Sequence, residues 1–268
     1  MPEKLRVGPW EGAAPAYVAA MVYTVALALI VVGQHFEPSF ESMDDYPPFG
    51  SLLWYYNLCG CLWMVFVSAL IIVGPAGLNA WGTYTLWSWT VLCIRHGLSA
   101  LAPWLAKDSF GMKLLEYTRF PAIAMASITF TIWNFLLFPF IYLFFMETPE
   151  KKRNFVKYFT SFKLIQLHVV NIFLAYGNVV MASPPRPLVF VDLVAALVVG
   201  VVYVLWYVLI LDRLGVHIYP IFSPRSPWLF LTWTLSWLNY VASFYFWRGI
   251  LKRTEGGRAE LLDPTSGP

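Results

Sequence analysis

The amino-acid sequence predicts an all-α polytopic membrane protein, a bundle of six to seven helices that each cross the bilayer. Two observations lead to this fold class. Hydrophobic residues make up 59% of the 268 positions and charged residues only 12%, about half the ~25% charged share of an average soluble domain. The charged residues also lie together between long apolar blocks. We therefore expect an integral membrane protein, in an endomembrane such as the endoplasmic reticulum or in the plasma membrane.

Six segments have the roughly 20 apolar residues that a membrane-spanning helix needs. They are residues 14–34, 52–74, 120–146, 156–182, 188–211 and 227–248. Residues 80–104 form a seventh candidate span, although the charge of Arg95 near its middle would cost about 2.5–3.5 kcal/mol at that depth. The segment can span with Arg95 and the adjacent His96 facing protein or water, or it can lie partly in the interface. Because the pair can simply snorkel towards an interface, neither residue is chosen as a functional residue.

The chain is predicted to hold one transmembrane domain, residues 14–250, between polar tails at residues 1–13 and 251–268. Basic residues occur in both tails and in the loop with the sequence "EKKRNFVK". Neither six nor seven spans places all three basic segments on one side, so the positive-inside rule does not decide the orientation. The net charge of +3 comes without zinc-finger spacing or a basic-aromatic pattern, which excludes a nucleic-acid-binding protein.

Three of the apolar segments carry polar residues at the spacing of one helix face. His168, Asn171 and Asn178 lie at positions i, i+3 and i+10, which share a face in an α-helix. The other two stripes are Ser127, Thr131 and Asn134, and Thr232, Ser236, Asn239 and Ser243. Three polar faces predict a polar interior, in which hydroxyl and amide groups can join the helices by hydrogen bonds.

His168 is the first candidate for a functional residue, because an ionisable side chain at membrane depth is a functional-site hypothesis and an imidazole can carry a proton near neutral pH. A second candidate region is the loop "LDRLGVHIYPIFSPRSP". There His217, Tyr219 and Arg225 either belong to an ordered turn with a solvated ion pair or face a substrate. No cofactor or metal site is predicted, since the four histidines lie in separate segments and no carboxylate lies at helical spacing from His168.

The C-terminal part of the chain resembles the androgen-induced protein family of polytopic membrane proteins, which includes the androgen-dependent regulator of tissue factor pathway inhibitor. Three segments carry the resemblance: "RFPAIAMASITFTIW", "LHVVN" and "VVYVLWYVLILDRLGVHIYPIF". The last one contains a Y-x-x-W and G-x-x-x-Y-P pattern, matched by Tyr203, Trp206, Gly215, Tyr219 and Pro220. The histidine segment and the proline-rich loop are also similar to the rolling-stone group of membrane proteins.

This resemblance implies a hydrolase that cleaves fatty acid esters of hydroxy fatty acids, with an intramembrane threonine as nucleophile and a histidine as its partner. The substrate would be a membrane lipid or fatty-acyl ester, and His168 takes the place of the family's histidine. The threonine is expected within "FGSLLWYYNLCG", where Trp54 stands at its position. Ser51, three residues before Trp54, and Thr131 are therefore the two candidate nucleophiles.

Asn171 and Asn134 are the candidate residues for orienting the reacting atoms or stabilising an oxyanion. Two other functions use the same polar residues. In a non-catalytic scaffold or lipid-binding receptor, the stripes would only hold the helices together. In a proton-coupled carrier, His168 would relay the proton, although carriers often show internal repeats and this sequence has none.

Overall fold

The part of the chain that the structure describes is helical, with no β-strand. The computed structural model describes residues 14–33, 46–75, 77–216, 219, 223–226 and 229–262. These contain eight helices: α1 Ala14–Gly33, α2 Leu52–Ile72, α3 Tyr84–Leu101, α4 Phe110–Phe144, α5 Pro149–Phe159, α6 Phe162–Met181, α7 Phe190–Leu211 and α8 Leu229–Leu262. The predicted all-α class is confirmed.

Four of these helices, α2, α4, α6 and α7, are long enough and apolar enough to cross a membrane. This arrangement is compatible with an integral membrane protein. The other three predicted spans also form helices, α1, α3 and α8, but the count of six to seven spans is not confirmed by length and composition. In α3, Arg95 and His96 lower the hydropathy of an 18-residue helix.

Two predicted boundaries differ from the structure for local reasons. The predicted span 156–182 is divided, because α5 ends at Phe159 and a new helix begins at Phe162. The predicted span 120–146 begins ten residues earlier, at Phe110, where the Ser109 hydroxyl accepts a hydrogen bond from the backbone N–H of Met112 at 3.3 Å. Such a cap satisfies one of the free N–H groups at a helix start.

The centre of the bundle is the first half of α4. Residues 120–126 are all buried, and they pack against α3, α6, α7 and α8. Small residues at Ala122, Ala124 and Ala126 allow the neighbouring helices to approach closely, as in membrane proteins generally. A helix that is buried on all sides is a core helix, so α4 positions the other helices around itself.

Large apolar side chains also cover the outside of the bundle. Examples that are at least half exposed are Leu52, Phe66, Leu143, Phe173 and Tyr245. In water such an extensive apolar surface would be unfavourable, whereas in hydrocarbon it costs nothing because the surroundings are equally apolar.

Four stretches of π-helix interrupt the long helices, at Ile132–Leu137, Gln166–Val170, Gly177–Met181 and Tyr207–Leu211. A π turn inserts one residue into the helical repeat and often marks a functional site. The first two meet at His168, because Trp133 in one of them stacks on the imidazole in the other, with ring centroids 4.0 Å apart.

Candidate active site

Helices α3 and α6 are joined by four side-chain hydrogen bonds, of which three form a ladder between residues 83 positions apart. The rungs are Thr85 Oγ1 to His168 Nε2 at 3.2 Å, Asn171 Nδ2 to Ser88 Oγ at 3.1 Å, and Arg95 Nε to Asn178 Oδ1 at 2.7 Å. The constant offset means that the two helices run side by side in the same direction. The predicted polar stripe of α6 therefore faces a matching stripe on α3.

The first rung holds His168 in a defined orientation and tautomer. Its Nδ1 lies 3.0 Å from the carbonyl oxygen of Leu164, so Nδ1 carries the hydrogen and donates it. Nε2 is then the unprotonated nitrogen, and it accepts from the hydroxyl of Thr85 at 3.2 Å. Trp133 stacks on one face of the ring at an angle of 16°. This is the arrangement of a base beside a hydroxyl nucleophile.

The hydroxyl of Thr85 has a second neighbour, the phenol of Tyr219. Burial raises the pKa of Tyr219 to about 12, and a hydrogen bond with the Thr85 side chain opposes that rise. The phenol is therefore neutral at physiological pH. Tyr207 fixes the backbone of Tyr219 by donating its hydroxyl to the Tyr219 carbonyl at 3.0 Å.

Thr85 and Tyr219 line a partly open cavity of about 100 Å³, between α3, α4, α7 and α8. Most of its wall is apolar or aromatic. The aromatic residues are Tyr84, Trp133, Tyr203, Tyr219, Trp233, Trp237 and Tyr240. A largely apolar wall with a few polar groups is typical of small-molecule sites, and Thr85 of the Thr85–His168 pair is part of this wall.

Most polar groups of this wall are bonded within the protein. The hydroxyls of Tyr84 and Tyr240 lie 2.6 Å apart, and Tyr203 donates to the carbonyl of Gly82 at 3.0 Å. These tyrosines therefore hold the wall together and leave few polar groups for a ligand.

Two polar groups of the lining are exceptions. The buried atoms Thr129 Oγ1 and Trp237 Nε1 have no hydrogen-bond partner within the described part of the chain. Both groups can donate a hydrogen bond, so these two buried donors of the cavity-lining residues are unused.

The far end of the ladder is built around the fully buried Arg95. Besides Asn178, its guanidinium donates to Ser183 Oγ at 2.7 Å and to the backbone carbonyl of Leu115. Asn178 in turn donates to Asn57 Oδ1 at 2.8 Å. The neighbouring helices thus satisfy the guanidinium where it lies.

Of the alternatives for Arg95 and His96, facing protein is the one that the structure shows, because both side chains are completely buried. The acceptors that surround Arg95 replace the water that it would otherwise reach at an interface. The charge is therefore accommodated inside the bundle.

A second ionic cluster ties α4 to α7 next to Arg95. Arg186 binds Asp192 through two nitrogens, at 2.8 Å each, and Glu116 through its Nε at 2.9 Å. Tyr46 donates its hydroxyl to the other oxygen of Glu116. Burial alone would lower the pKa of Arg186, but the hydrogen bonds and charge of Asp192, with the charge of Glu116, hold that pKa above its usual range.

Neither predicted nucleophile is hydrogen-bonded to His168 in the described part of the chain. Ser51 caps α2 and accepts from the N–H of Trp54, whose indole donates to the carbonyl of Ala100. That position lies about 22 Å along α3 from the first rung, at 1.5 Å per residue. Thr131 is exposed and donates to the carbonyl of Ser127 at 2.8 Å.

The two predicted asparagines lie close to His168. Asn134 donates its amide to the backbone carbonyls of Phe130 and His168, at 2.8 and 3.3 Å. Asn171 forms the second rung of the ladder, and its side-chain oxygen is buried without a hydrogen-bond partner among the described residues. Asn134 therefore contacts the backbone of the candidate base, and Asn171 lies one turn beyond it.

Two of the three residues predicted in the substrate loop, Tyr219 and Arg225, lie in the described part of the chain. Tyr219 reaches the cavity and Thr85. Arg225 binds the buried carboxylate of Asp212, with Nε 3.2 Å from Oδ2. His217 lies outside the described residues. Arg225 therefore belongs to an ion pair that is buried and not solvated as expected, and Tyr219 lines the cavity.

Sequence reasoning missed Thr85, although a signal for it exists. Thr85, Ser88, Arg95 and Ser99 lie at i, i+3, i+10 and i+14 in α3, and the first three repeat the spacing of His168, Asn171 and Asn178. This stripe was not recognised, because Arg95 and His96 were set aside as residues that can snorkel. Two stripes with the same spacing are the pattern that would have paired the two helices.

Comparison of the chain with protein-family models, with characterised proteins and with solved structures gives no match. The fold and the site define a class only: an all-helical protein with membrane-length helices that enclose a threonine–histidine pair beside an apolar cavity.

Proposed function

We propose that this chain is an integral membrane hydrolase that cleaves lipid esters, with Thr85 as nucleophile and His168 as general base. The observation that carries the proposal is the 3.2 Å contact between Thr85 Oγ1 and His168 Nε2 at the wall of an apolar cavity. The resemblance to the androgen-induced family supports it, since that family is described as using a threonine and a histidine. Thr85 replaces Ser51 and Thr131 as the proposed nucleophile, because the imidazole of His168 is hydrogen-bonded to the hydroxyl of Thr85.

In the first half of the reaction, the oxygen of Thr85 attacks the ester carbonyl carbon while His168 Nε2 takes the hydroxyl proton. The new C–O bond gives a tetrahedral intermediate. When that intermediate collapses, the bond to the alcohol breaks and the imidazolium returns the proton to the leaving oxygen. The fatty acyl group is then esterified to Thr85 and the free alcohol departs.

In the second half, a water molecule attacks the acyl-threonine carbonyl and gives its proton to His168 Nε2. Collapse releases the fatty acid, and the proton returns to the oxygen of Thr85. The donation from Nδ1 to the carbonyl of Leu164 keeps Nε2 basic at the start of each half. The neutral phenol of Tyr219 holds the rotamer of Thr85, so Tyr219 is a positioning residue.

A bilayer location suits an apolar ester, because the substrate can enter from the hydrocarbon in which it is dissolved. We take α1, α3 and α8 to complete a bundle of six to seven spans around the four long apolar helices. In this bundle the buried Arg95 and His96 of α3 face protein, which removes most of the cost of placing them at depth. An endomembrane or the plasma membrane is the expected location.

The test uses purified protein in detergent micelles and a fatty acid ester of a hydroxy fatty acid. Thr85→Val and His168→Gln should each lower kcat at least about hundred-fold, the usual contribution of a general base. Ser51→Ala and Thr131→Val are the controls and should keep wild-type rates. Mass spectrometry of quenched wild-type protein should find the acyl group on the peptide that contains Thr85. Unchanged hydrolysis by Thr85→Val would remove the assignment.

A second candidate function is a non-catalytic lipid-binding protein, and the aromatic cavity itself favours it, since binding needs no nucleophile. It predicts that purified wild-type protein binds a lipid ester without releasing fatty acid. It also predicts that Thr85→Val keeps every cellular phenotype of the wild type.

A further inference from the structure

The hydroxyl of Thr129 makes no hydrogen bond among the described residues, in contrast to its neighbours on α4. Ser127 donates to the carbonyl of Ile123 at 2.7 Å, and Thr131 donates to that of Ser127 at 2.8 Å. This bond to a carbonyl one turn earlier is how a hydroxyl in an apolar helix is normally satisfied. Thr129 is only 4% exposed and lacks such a bond, which is unfavourable for a buried polar group.

Trp237 brings a second unused donor to the same cavity from α8. Its indole Nε1 is buried and has no acceptor in the described part of the chain. The ring lies tightly against Gly200, where an added Cβ would stand 3.0 Å from Cζ3. The absence of a side chain at Gly200 therefore lets the indole occupy its position at the cavity wall.

Other unpartnered donors do not share this setting. Arg119 Nε and Trp206 Nε1 are also buried without partners among the described residues, but neither side chain lines the cavity. Thr129 and Trp237 are distinguished by lining the space that also contains Thr85. A ligand in that space lies against both side chains.

The charge of the cavity wall restricts what that acceptor can be. Among the described residues, no Lys, Arg or His side chain lines the cavity. A carboxylate there would be a buried charge without a counter-ion, which is costly. A neutral carbonyl oxygen needs only hydrogen-bond donors, and hydrocarbon on either side of it suits the aromatic wall.

We propose that the cavity binds the uncharged carbonyl of a lipid ester, and that Thr129 and Trp237 donate hydrogen bonds to its oxygen. The identity of the ligand as an ester rests on the proposed function, whereas recognition of a neutral carbonyl does not. During hydrolysis the same two donors meet the negative charge that develops on this oxygen. They act as the oxyanion-stabilising groups. The sequence had predicted Asn171 or Asn134 for this role.

Binding is tested separately from catalysis with a long-chain ketone, in which a CH2 group replaces the ester oxygen and the carbonyl carbon is ¹³C. The protein carries Thr85→Val, so no covalent adduct forms. Infrared spectroscopy should show the bound carbonyl stretch at lower frequency than in a hydrocarbon solvent. Adding Thr129→Val should reverse part of the shift and weaken binding about tenfold, the effect of one neutral hydrogen bond.

Thr131→Val is the matched control, because it removes a hydroxyl from the same helix that is already bonded to its own backbone. It should leave the carbonyl frequency and the affinity unchanged. Trp237→Phe removes the second donor and keeps an aromatic ring, so it should reverse the rest of the shift. A long-chain fatty acid, ionised at the pH of the assay, should bind much more weakly than the ketone.

Three results would overturn the inference: a carbonyl frequency that Thr129→Val leaves unchanged, failure of the ketone to bind, or equal affinity for ketone and ionised fatty acid. In hydrolysing protein, Thr129→Val should lower kcat about hundred-fold with a smaller change in KM. If wild-type protein binds the ketone through Thr129 but hydrolyses no ester, the proposed function fails and this inference stands.

Discussion

The two ends of the α3–α6 ladder use the same kinds of polar residue in opposite ways. At the Arg95 end, all three guanidinium nitrogens donate to protein acceptors, and an ionic cluster around Arg186 lies beside them. At the Thr85 end, the hydrogen bond to His168 stands beside a cavity whose wall holds two donors that are unused among the described residues. Polar groups whose hydrogen bonds are made within the protein stabilise a fold, whereas polar groups without a partner beside a cavity are available to a ligand.

A polar residue inside an apolar bundle can have a structural role or a ligand-binding role. Burial alone does not distinguish them, because Arg95 is fully buried and His168 is only 4% exposed. Among the described residues, unpartnered buried nitrogens also occur near Arg95, in His96 and Arg119. The difference therefore lies in the cavity beside Thr85 and in the three hydrogen bonds that the guanidinium of Arg95 donates. Substitutions along the ladder should therefore change stability most at one end and catalysis most at the other.

The largest stability effect is expected for Arg95→Leu. The change leaves Asn178 Oδ1, Ser183 Oγ and the carbonyl of Leu115 without their donor, in a place that water does not reach. At about 1–3 kcal/mol for each buried unsatisfied group, the free energy of unfolding should fall by about 3 kcal/mol or more. Unfolding by SDS in mixed micelles, followed by circular dichroism, measures the loss.

Lys151→Leu is the control for Arg95→Leu, because it also removes a cation from a hydrogen-bonded pair. Lys151 contacts Glu147 at 3.2 Å, but both side chains are mostly exposed. Such a surface pair contributes about 0–1 kcal/mol. Equal losses for Arg95→Leu and Lys151→Leu would contradict the structural role of the Arg95 end.

An intermediate effect is expected at the middle rung. A double-mutant cycle with Ser88→Ala and Asn171→Leu should give a coupling energy of about 0.6–1.7 kcal/mol, the range of hydrogen bonds between membrane helices. The same unfolding experiment provides the four values. A coupling energy of zero would mean that this rung contributes no net stability, and that the other two rungs hold the ladder.

The smallest stability effect is expected for Thr85→Val, which keeps the shape of the side chain and removes one neutral hydrogen bond. The free energy of unfolding should change by about 0.6 kcal/mol or less, while ester hydrolysis falls at least about hundred-fold. Thr85→Val should therefore lower activity strongly and stability little, whereas Arg95→Leu should lower stability strongly. A large loss of stability with proportionate loss of activity would instead make the Thr85 end another structural contact.

Much of the candidate site could be predicted from periodicity. The spacing of His168, Asn171 and Asn178 identified one face of α6, and α6 does turn that face towards a polar partner. The partner on α3 has the same spacing, so the pair could have been recognised. The unused donors could not, because whether Thr129 bonds to its own helix depends on the rotamer that its neighbours allow.

Residue patterns alone were enough to predict an all-helical chain with helices of membrane length, because runs of apolar residues can satisfy their backbone only as helices in hydrocarbon. They were also enough to predict which faces are polar, since residue spacing sets direction around a helix. The packing of the helices adds three facts: Thr85 meets His168, Arg95 is buried and satisfied, and a cavity lies between α3, α4, α7 and α8. These depend on register and rotation between helices, which residue spacing within one helix does not specify.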